Sequence, residues 1–295
     1  MILPHVLRPH LPVCAGLKFL TVIALAPIFV GCAGGLPVLD RHGVADRIAE
    51  TVGFRTETVQ TRPFMLVTRH RLLAPGQPLS IYIEGDGQAW LSRRRLSRNP
   101  TPTDPIALRL SVIDPAPNVV YLARPCQYVD DLSCDPRYWS SHRYSETVVS
   151  AIDQAIELFR QRIGANKLHL IGYSGGAAVA ALIAARREDV ASLRTVAGNL
   201  DHDALNRHFG VSPLSGSLNP ADFAAALAPV PQYHYVGSGD KTVPPFVAKR
   251  FASRSGDRRC LKISLIDGVT HEDGWTERWR SLLSRQVSCK PRLKP

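Results

Sequence analysis

Several features that define other protein classes are missing from this sequence. It has no internal repeat and no linker-like stretch between residues 44 and 289. Its 36 Lys and Arg residues are scattered and form no recognition motif or basic helix, so nucleic acid is not an expected partner. With 45% hydrophobic and 21% charged residues among 295, the chain is expected to bury one large α/β core or two small ones.

The N-terminus has the pattern of an export signal. Arg8 and Lys18 precede an apolar run from Phe19 to Gly31 that is too short to span a bilayer, a combination typical of a signal peptide. Cys32 follows directly, and a small residue before a cysteine at this position resembles the lipobox of bacterial lipoproteins, with Phe29 where Leu is usual. The resemblance implies that residues 1–31 are removed and that Cys32 is lipidated. The alternative is ordinary signal cleavage nearby, which leaves Cys32 as an incidental thiol.

Removal of residues 1–31 leaves a basic chain that is expected to be anchored to a membrane. The formal charge falls from +11 to +9, because two basic and no acidic residues are lost. A basic surface favours anionic lipid headgroups or acidic substrates, an attraction that salt weakens. Ala33 stands where an Asp would signal inner-membrane retention, so the resemblance points to the outer membrane, facing the periplasm or the cell surface.

Four of the six cysteines remain in the exported domain. An even number of cysteines in an oxidising compartment predicts disulfides. Of the three possible pairings we expect Cys126 with Cys134 and Cys260 with Cys289, which join sequence neighbours. Zinc is the alternative, but no CxxC pair or adjacent histidine supports it, so no metal is expected.

Strand-like apolar runs alternate with helical stretches along the chain. Segments 54–60 and 64–73 have strand character and flank a short turn, which predicts a hairpin. Further strands are expected at residues 80–84, 118–123, 167–172, 193–198, 232–237 and 261–266. Helices are expected at residues 44–52, 106–112, 145–163, 177–187, 246–253 and 275–286. This alternation predicts an α/β fold: a mostly parallel sheet of about eight strands with an N-terminal antiparallel hairpin and helices on both faces.

The expected organisation has three parts: a signal peptide at residues 1–31, a lipid-anchored tether at 32–43 and a single domain at 44–295. Two long insertions interrupt the alternation. Residues 85–117 are expected to be irregular apart from one short helix, and they contain the cluster Arg93-Arg94-Arg95. Residues 201–229 are expected to contain a short Ala-rich helix.

The segment Gly172-Tyr173-Ser174-Gly175-Gly176 lies between a predicted strand and a predicted helix. This is the context of the G-x-S-x-G nucleophile elbow, in which glycines two residues on either side make room for a strained serine. With the loops described next, the motif resembles the α/β-hydrolase superfamily over residues 54 to 286. The alternative is a small-residue turn between strand and helix.

A serine nucleophile needs a base, and the base needs an acid partner. The superfamily order is Ser, acid, His. Here Asp240 and His271 each follow a predicted strand, so the resemblance implies Ser174 as nucleophile, Asp240 as acid and His271 as general base. Asp201 is the alternative acid, whereas Asp267 lies too close to the histidine to turn back on it.

Three other histidines, His202, His208 and His234, are expected to be surface or packing residues. The resemblance also implies two backbone donors for an oxyanion. Gly175 supplies the first. The second is expected from the loop after the strand at 80–84, where Asp86 is the first choice and Gly87 stays open. The alternative for this loop is a plain glycine turn.

The resemblance implies a serine hydrolase that cleaves ester bonds through an acyl-enzyme, a carboxylesterase in particular, with a small-molecule or lipid ester as substrate and no metal or organic cofactor. A hydrolase-fold lipoprotein used for binding or adhesion and an acyltransferase with the same triad remain alternatives. Neither long insertion has the apolar periodicity of a large lipase lid, so a small or absent lid, an open and shallow pocket and a preference for short acyl esters over long-chain triacylglycerol are expected. Arg93, Arg94 and Arg95 either attract anionic substrates or form a solvated loop.

Overall fold

An eight-stranded sheet forms the centre of the structure, a computed structural model in which residues 40–286 and 288–289 are described. The strands are β1 (Arg55–Gln60), β2 (Met65–Leu72), β3 (Leu79–Ile83), β4 (Trp90–Ser92), β5 (Arg95–Leu96), β6 (Asn118–Leu122), β7 (Leu168–Tyr173), β8 (Val190–Val196), β9 (Gln232–Gly237) and β10 (Leu261–Ile266). The main sheet has the order β1-β2-β6-β3-β7-β8-β9-β10. Strand β2 is antiparallel to both its neighbours, and the other pairs are parallel.

The helices cover both faces of this sheet. They are α1 (Arg41–Glu50), α2 (Ile106–Ile113), α3 (Glu146–Ile163), α4 (Gly175–Ala184), α5 (His202–Phe209), α6 (Phe246–Arg254) and α7 (Trp275–Leu283), with short 3-10 helices at Pro136–Trp139 and Pro220–Phe223. Apolar side chains of α1, α2 and α7 share one core cluster, and those of α3, α4 and α6 share the other. In β3, Ile81 faces the α3 side and Tyr82 faces the α7 side, as the two-residue period of a strand requires.

Helix α3 shows how local signals set an element. The Ser145 side chain accepts from the Val148 N–H at the start, and Gly164 ends the helix with a φ of 67°, a conformation that glycine adopts without strain. Its apolar side chains at helical spacing are buried. The predicted fold class is confirmed: the sheet is mostly parallel, has eight strands and begins with an antiparallel hairpin.

Three expectations differ from the structure. Helix α1 begins at Arg41 rather than at residue 44, because Asp40 accepts from the Gly43 N–H and caps the helix there, so residues 41–43 are not tether. Residues 85–117 contain the small antiparallel pair β4 and β5 besides α2, strands too short to show an alternating pattern. The Ala-rich helix expected in 201–229 is only partly present: the segment begins in the 3-10 helix Pro220–Phe223 and continues in turns, and the α-helix of this insertion is α5, capped by Asp201.

The remaining predictions for the N-terminus concern residues outside the described part of the chain. These are the signal peptide at 1–31, the lipidation of Cys32 and the tether up to residue 39.

Candidate active site

Ser174 occupies the sharp turn between β7 and α4. Its φ is 51° and its ψ is −115°, a backbone conformation that costs a non-glycine residue free energy and is concentrated at functional sites. The turn is held from both sides, since Ser174 N donates to Val196 O over 2.9 Å and Ser174 O accepts from Asn199 N over 3.1 Å. The hydroxyl is therefore presented at the carboxyl edge of the sheet, where ligands bind in open α/β folds.

The two outer glycines of the motif are required by space. A Cβ on Gly172 would lie 2.4 Å from the Cα of Ala177, and a Cβ on Gly176 would lie 2.2 Å from the carbonyl oxygen of Ile83. Both contacts are with backbone, which cannot move aside. The glycines thus let α4 pack directly against the ends of β7 and β3, which brings Ser174 next to the loop that follows β3.

His271 and Asp240 meet Ser174 from the loops after β10 and β9. The Ser174 Oγ lies 3.0 Å from His271 Nε2, and His271 Nδ1 lies 2.9 Å from Asp240 Oδ2. A carboxylate only accepts, so Nδ1 carries the ring proton and Nε2 of the neutral imidazole is free to accept from the serine hydroxyl. The three side chains form one hydrogen-bonded chain with the polarity that general-base catalysis needs.

Backbone contacts hold the acid and the base in place. Asp240 Oδ1 accepts from the N–H groups of Thr242 and Val243 over 2.9 and 2.8 Å, which leaves Oδ2 for the histidine. The carbonyl oxygen of His271 accepts from the Trp275 indole over 2.9 Å and from the Tyr173 hydroxyl over 3.2 Å. The Asp240 carboxyl is fully buried and the His271 ring nearly so, so neither ring nor carboxyl is free to turn away.

Asp201, the alternative acid, has other partners. Its Oδ1 accepts from Ala204 N and from the Asn219 amide, both over 3.1 Å, and its Oδ2 pairs with Arg250 Nε at 3.3 Å. It caps α5 instead of orienting a histidine. Asp267 accepts from the Ser238 hydroxyl on the exposed surface.

The three histidines that were expected to lie outside the site do so. His234 is fully buried against Thr195 and Phe251, and burial lowers its pKa to about 3. His202 contacts the carbonyl oxygen of Leu218, and His208 packs against aromatic rings. None of them contacts Ser174.

The loop after β3 lies beside the N-terminus of α4. A Cβ on Gly175 would lie 2.0 Å from Asp86 Oδ1, so Asp86 is in direct contact with the residue after the nucleophile. In the described part of the chain, the N–H groups of Asp86 and Gly87 donate to no protein acceptor. The N–H of Gly175 belongs to the first turn of α4, where no intrahelical acceptor exists. The three predicted oxyanion residues are therefore together, with donors available.

Asp86 also carries a charge network that sequence reasoning missed. Its carboxylate pairs with Arg143 at 2.8 Å and Arg124 at 3.3 Å, and it accepts from the Tyr144 hydroxyl over 3.0 Å. Burial alone would raise the pKa of Asp86, but the charges of the two arginines outweigh it and hold the pKa below its usual value. Arg124 comes directly after a predicted strand, which was the available signal. The network fixes the loop that bears the proposed second oxyanion donor.

Glu84 supports the same loop from beneath. Its Oε1 accepts from Gly85 N over 2.8 Å and from Ala107 N over 3.4 Å. Burial raises the pKa of this carboxyl to about 7, because a charge is costly away from water. Glu84 thus acts on the backbone of the loop.

A cavity of about 410 Å³ opens above Ser174 and His271. Its walls come from the loop after β3, from Trp90 and Arg143, and from Thr242 and Glu272 beside the acid and the base. Arg93, Arg94 and Arg95 lie in and beside the exposed turn between β4 and β5. None of the three lines this cavity.

The four cysteines lie away from the triad. Cys126 is joined to Cys134 in the loop after β6, and Cys260, just before β10, is joined to Cys289. No group of three His, Cys, Asp or Glu side chains suited to a metal ion occurs among residues 40–286 and 288–289. No helix in the same ranges has the length and apolar character to cross a bilayer.

Comparison with known proteins identifies the fold. No family model matches the chain, and no curated protein matches it in sequence. Among solved structures it is similar to an esterase from Pyrococcus furiosus (12% identity, 81% of this chain and 92% of that chain, TM-score 0.58) and an α/β serine hydrolase homologue from Coxiella burnetii (15%, 79% and 97%, 0.54). A third is a lidless α/β serine hydrolase from Xanthomonas campestris (16%, 81% and 97%, 0.52). The chain has the α/β-hydrolase fold.

Proposed function

We propose that this chain is a serine hydrolase of ester bonds, a carboxylesterase, with Ser174 as nucleophile, His271 as general base and Asp240 as its acid partner. The observation that carries the proposal is the hydrogen-bonded chain from Ser174 Oγ through both nitrogens of His271 to Asp240. It lies at the wall of an open cavity, so an ester can reach it. Similarity in fold to esterases and serine hydrolases supports the same class.

In the proposed reaction, each residue of the triad and of the oxyanion site has a defined role. His271 Nε2 takes the proton of Ser174 as Oγ attacks the acyl carbon, and Asp240 stabilises the imidazolium that forms. Negative charge develops on the carbonyl oxygen, which the N–H groups of Gly175 and Asp86 stabilise, with Gly87 as the alternative donor. His271 then protonates the leaving alcohol, and an acyl-enzyme remains. Water, deprotonated by the same histidine, releases the acid and regenerates Ser174.

Two other uses of this site lead to different outcomes. A binding or adhesion lipoprotein would not need the strained backbone at Ser174 or the aligned base, and these features favour the enzyme. An acyltransferase would share every step up to the acyl-enzyme. Product analysis with an added alcohol acceptor separates it from a hydrolase, because a transferase forms the new ester in preference to the free acid.

Export with a lipid anchor on Cys32 is part of the proposal. Both cysteine pairs are placed to form disulfides, and such bonds persist in oxidising compartments. The full chain expressed in bacteria is expected in the membrane fraction with a lipid mass on its N-terminal cysteine, and Cys32→Ser is expected to release it. A membrane fraction without N-terminal lipid would exclude the anchor.

Labelling with a fluorophosphonate probe tests the catalytic proposal. We expect one label per chain, mapped to the peptide that contains Ser174, and none in Ser174→Ala. Ser253→Ala, which removes an exposed hydroxyl bonded to Arg250 O, is the matched control and should label normally. Folded protein that does not react with the probe would exclude the proposed serine hydrolase.

A further inference from the structure

We infer that a second cavity beside the first binds the acyl part of the ester, and that this part is an apolar chain of medium length. The inference rests on the proposed function, because it assumes attack by Ser174. The second cavity has a volume of about 590 Å³, within the range of small-molecule sites. Trp90 and Arg143 line both cavities, so a substrate bound at Ser174 can extend from one into the other.

The position of the second cavity identifies which part of the ester enters it. The leaving alcohol must lie next to His271, which gives it a proton, and Thr242 and Glu272 border the first cavity on that side. The second cavity includes no residue of the acid or base loops. It adjoins the oxyanion side instead, since its shared residue Arg143 binds Asp86. A group that extends toward the oxyanion side, away from the leaving alcohol, is the acyl chain.

The walls of the cavity favour an apolar group. Trp90, Val211, Pro213 and Leu214 line it. Trp90 and Val211 are 44% and 46% exposed in the free chain, so a bound chain would remove exposed apolar surface from water, which is the main source of affinity for such groups.

Three of the polar side chains that line the cavity, those of Ser140, Ser141 and Asn206, are already hydrogen-bonded within the protein. The Ser140 hydroxyl donates to Pro136 O over 2.8 Å, the Ser141 hydroxyl lies 2.8 Å from His142 Nδ1, and the Asn206 amide donates to Ser212 O over 3.0 Å.

Of the two charged side chains that line the cavity, only Arg143 is paired with a carboxylate in the described part of the chain. Arg93 donates to Phe209 O over 3.4 Å, and Arg143 is paired with Asp86. The preference for a neutral acyl chain therefore rests on the apolar walls, and the charge of Arg93 makes an anionic acyl group the alternative that the test must distinguish.

A series of p-nitrophenyl esters with acyl chains of increasing length should show whether the second cavity binds the acyl chain. Each methylene removed from water is worth about fourfold in kcat/KM when it is fully buried. We expect kcat/KM to rise at least tenfold from p-nitrophenyl acetate to the octanoate, and to fall again for the palmitate. The acyl chain with the highest kcat/KM is then of medium length, shorter than the chains that an enzyme for long-chain triacylglycerol prefers.

Two variants at one position test the cavity directly. Val211→Trp narrows it and Val211→Ser removes an apolar contact without adding bulk, and each should lower the ratio of octanoate to acetate kcat/KM, the former by tenfold or more. The matched control is Leu132→Trp, at a fully exposed position outside this cavity, which should keep the wild-type ratio.

The outcomes separate the two proposals. If the wild type is not labelled at Ser174 by the fluorophosphonate, the proposed function fails. If it is labelled and hydrolyses esters, but shows no advantage for octanoate or the same ratio in both Val211 variants, the acyl site is wrong. A preference for the monoester of a dicarboxylic acid over octanoate would also overturn it, in favour of an anionic acyl group.

Discussion

The two sides of Ser174 are built in different ways. On the side of the base, His271 is held by a single carboxylate whose other oxygen is bound by nearby backbone N–H groups. On the oxyanion side, the loop after β3 is held by buried charges that come from separate parts of the chain: Asp86, Arg124 and Arg143. The base side depends on one carboxylate and on neutral hydrogen bonds, and the oxyanion side depends on a cluster of three buried charges. Substitutions should therefore affect chemistry on one side and stability on the other.

The largest effect is expected from Asp240→Asn. Loss of the carboxylate removes the group that fixes the tautomer of His271 and stabilises its cation, so kcat should fall about 10⁴-fold, measured with p-nitrophenyl octanoate. Asp201→Asn is the control, because Asp201 caps α5 and should affect stability more than kcat. If Asp201→Asn is the variant that loses turnover, the acid has been assigned to the wrong residue.

Asp86→Ala should have the largest effect on stability. It leaves Arg124 and Arg143 buried without their partner, which should lower the free energy of unfolding by about 3 to 5 kcal/mol in urea denaturation. Asp222→Ala removes the partner of Arg254 from an exposed pair and should cost less than about 1 kcal/mol. Equal losses in the two variants would mean that the oxyanion side does not depend on its buried charges.

The contrast also explains how much could be predicted from the sequence. The strands, the elbow at Ser174 and the loops that carry Asp240 and His271 follow from local signals: apolar periodicity, glycines at fixed spacing and polar residues after strands. The choice between Asp240 and Asp201 needed coordinates, because both follow predicted strands. The pairing of Asp86 with Arg124 and Arg143 could not be predicted. Arg124 directly follows a predicted strand, but that position does not identify its partner, and no local pattern distinguishes Arg143 from the exposed arginines.

Glu84→Gln should change the pH dependence of stability. The unfolded carboxyl loses its proton near pH 4.5, whereas the buried one keeps it until about pH 7. The unfolded state thus binds fewer protons in this window, so the wild type should lose stability as pH rises from 4.5 to 7, by at most about 3 kcal/mol. The free energy of unfolding of the wild type, measured relative to that of Glu84→Gln at each pH, should show this fall. If the free energies of unfolding of the two proteins change with pH in the same way, Glu84 titrates normally.

The smallest effect is expected from the cysteine pair near the oxyanion loop. The bond between Cys126 and Cys134 joins residues with a sequence separation of 8. Replacing both cysteines with serine should therefore lower the free energy of unfolding by about 2.5 kcal/mol. The loop contains Gln127, whose amide donates to Gly85 O over 3.0 Å, and a modest fall in kcat should accompany the loss. The Cys260–Cys289 double variant should lower the free energy of unfolding and leave kcat unchanged. Peptide mapping that found crossed pairs or free thiols would contradict both pairings.

The activation of Ser174 by His271 is tested most directly by the rate constant of fluorophosphonate labelling in the wild type and in His271→Ala. The Ser174 hydroxyl lies 3.0 Å from His271 Nε2 and is a poor nucleophile without that base. We expect rapid labelling of Ser174 in the wild type and a rate lower by several powers of ten in His271→Ala. Equal rates in the two proteins, or labelling at another residue, would contradict it.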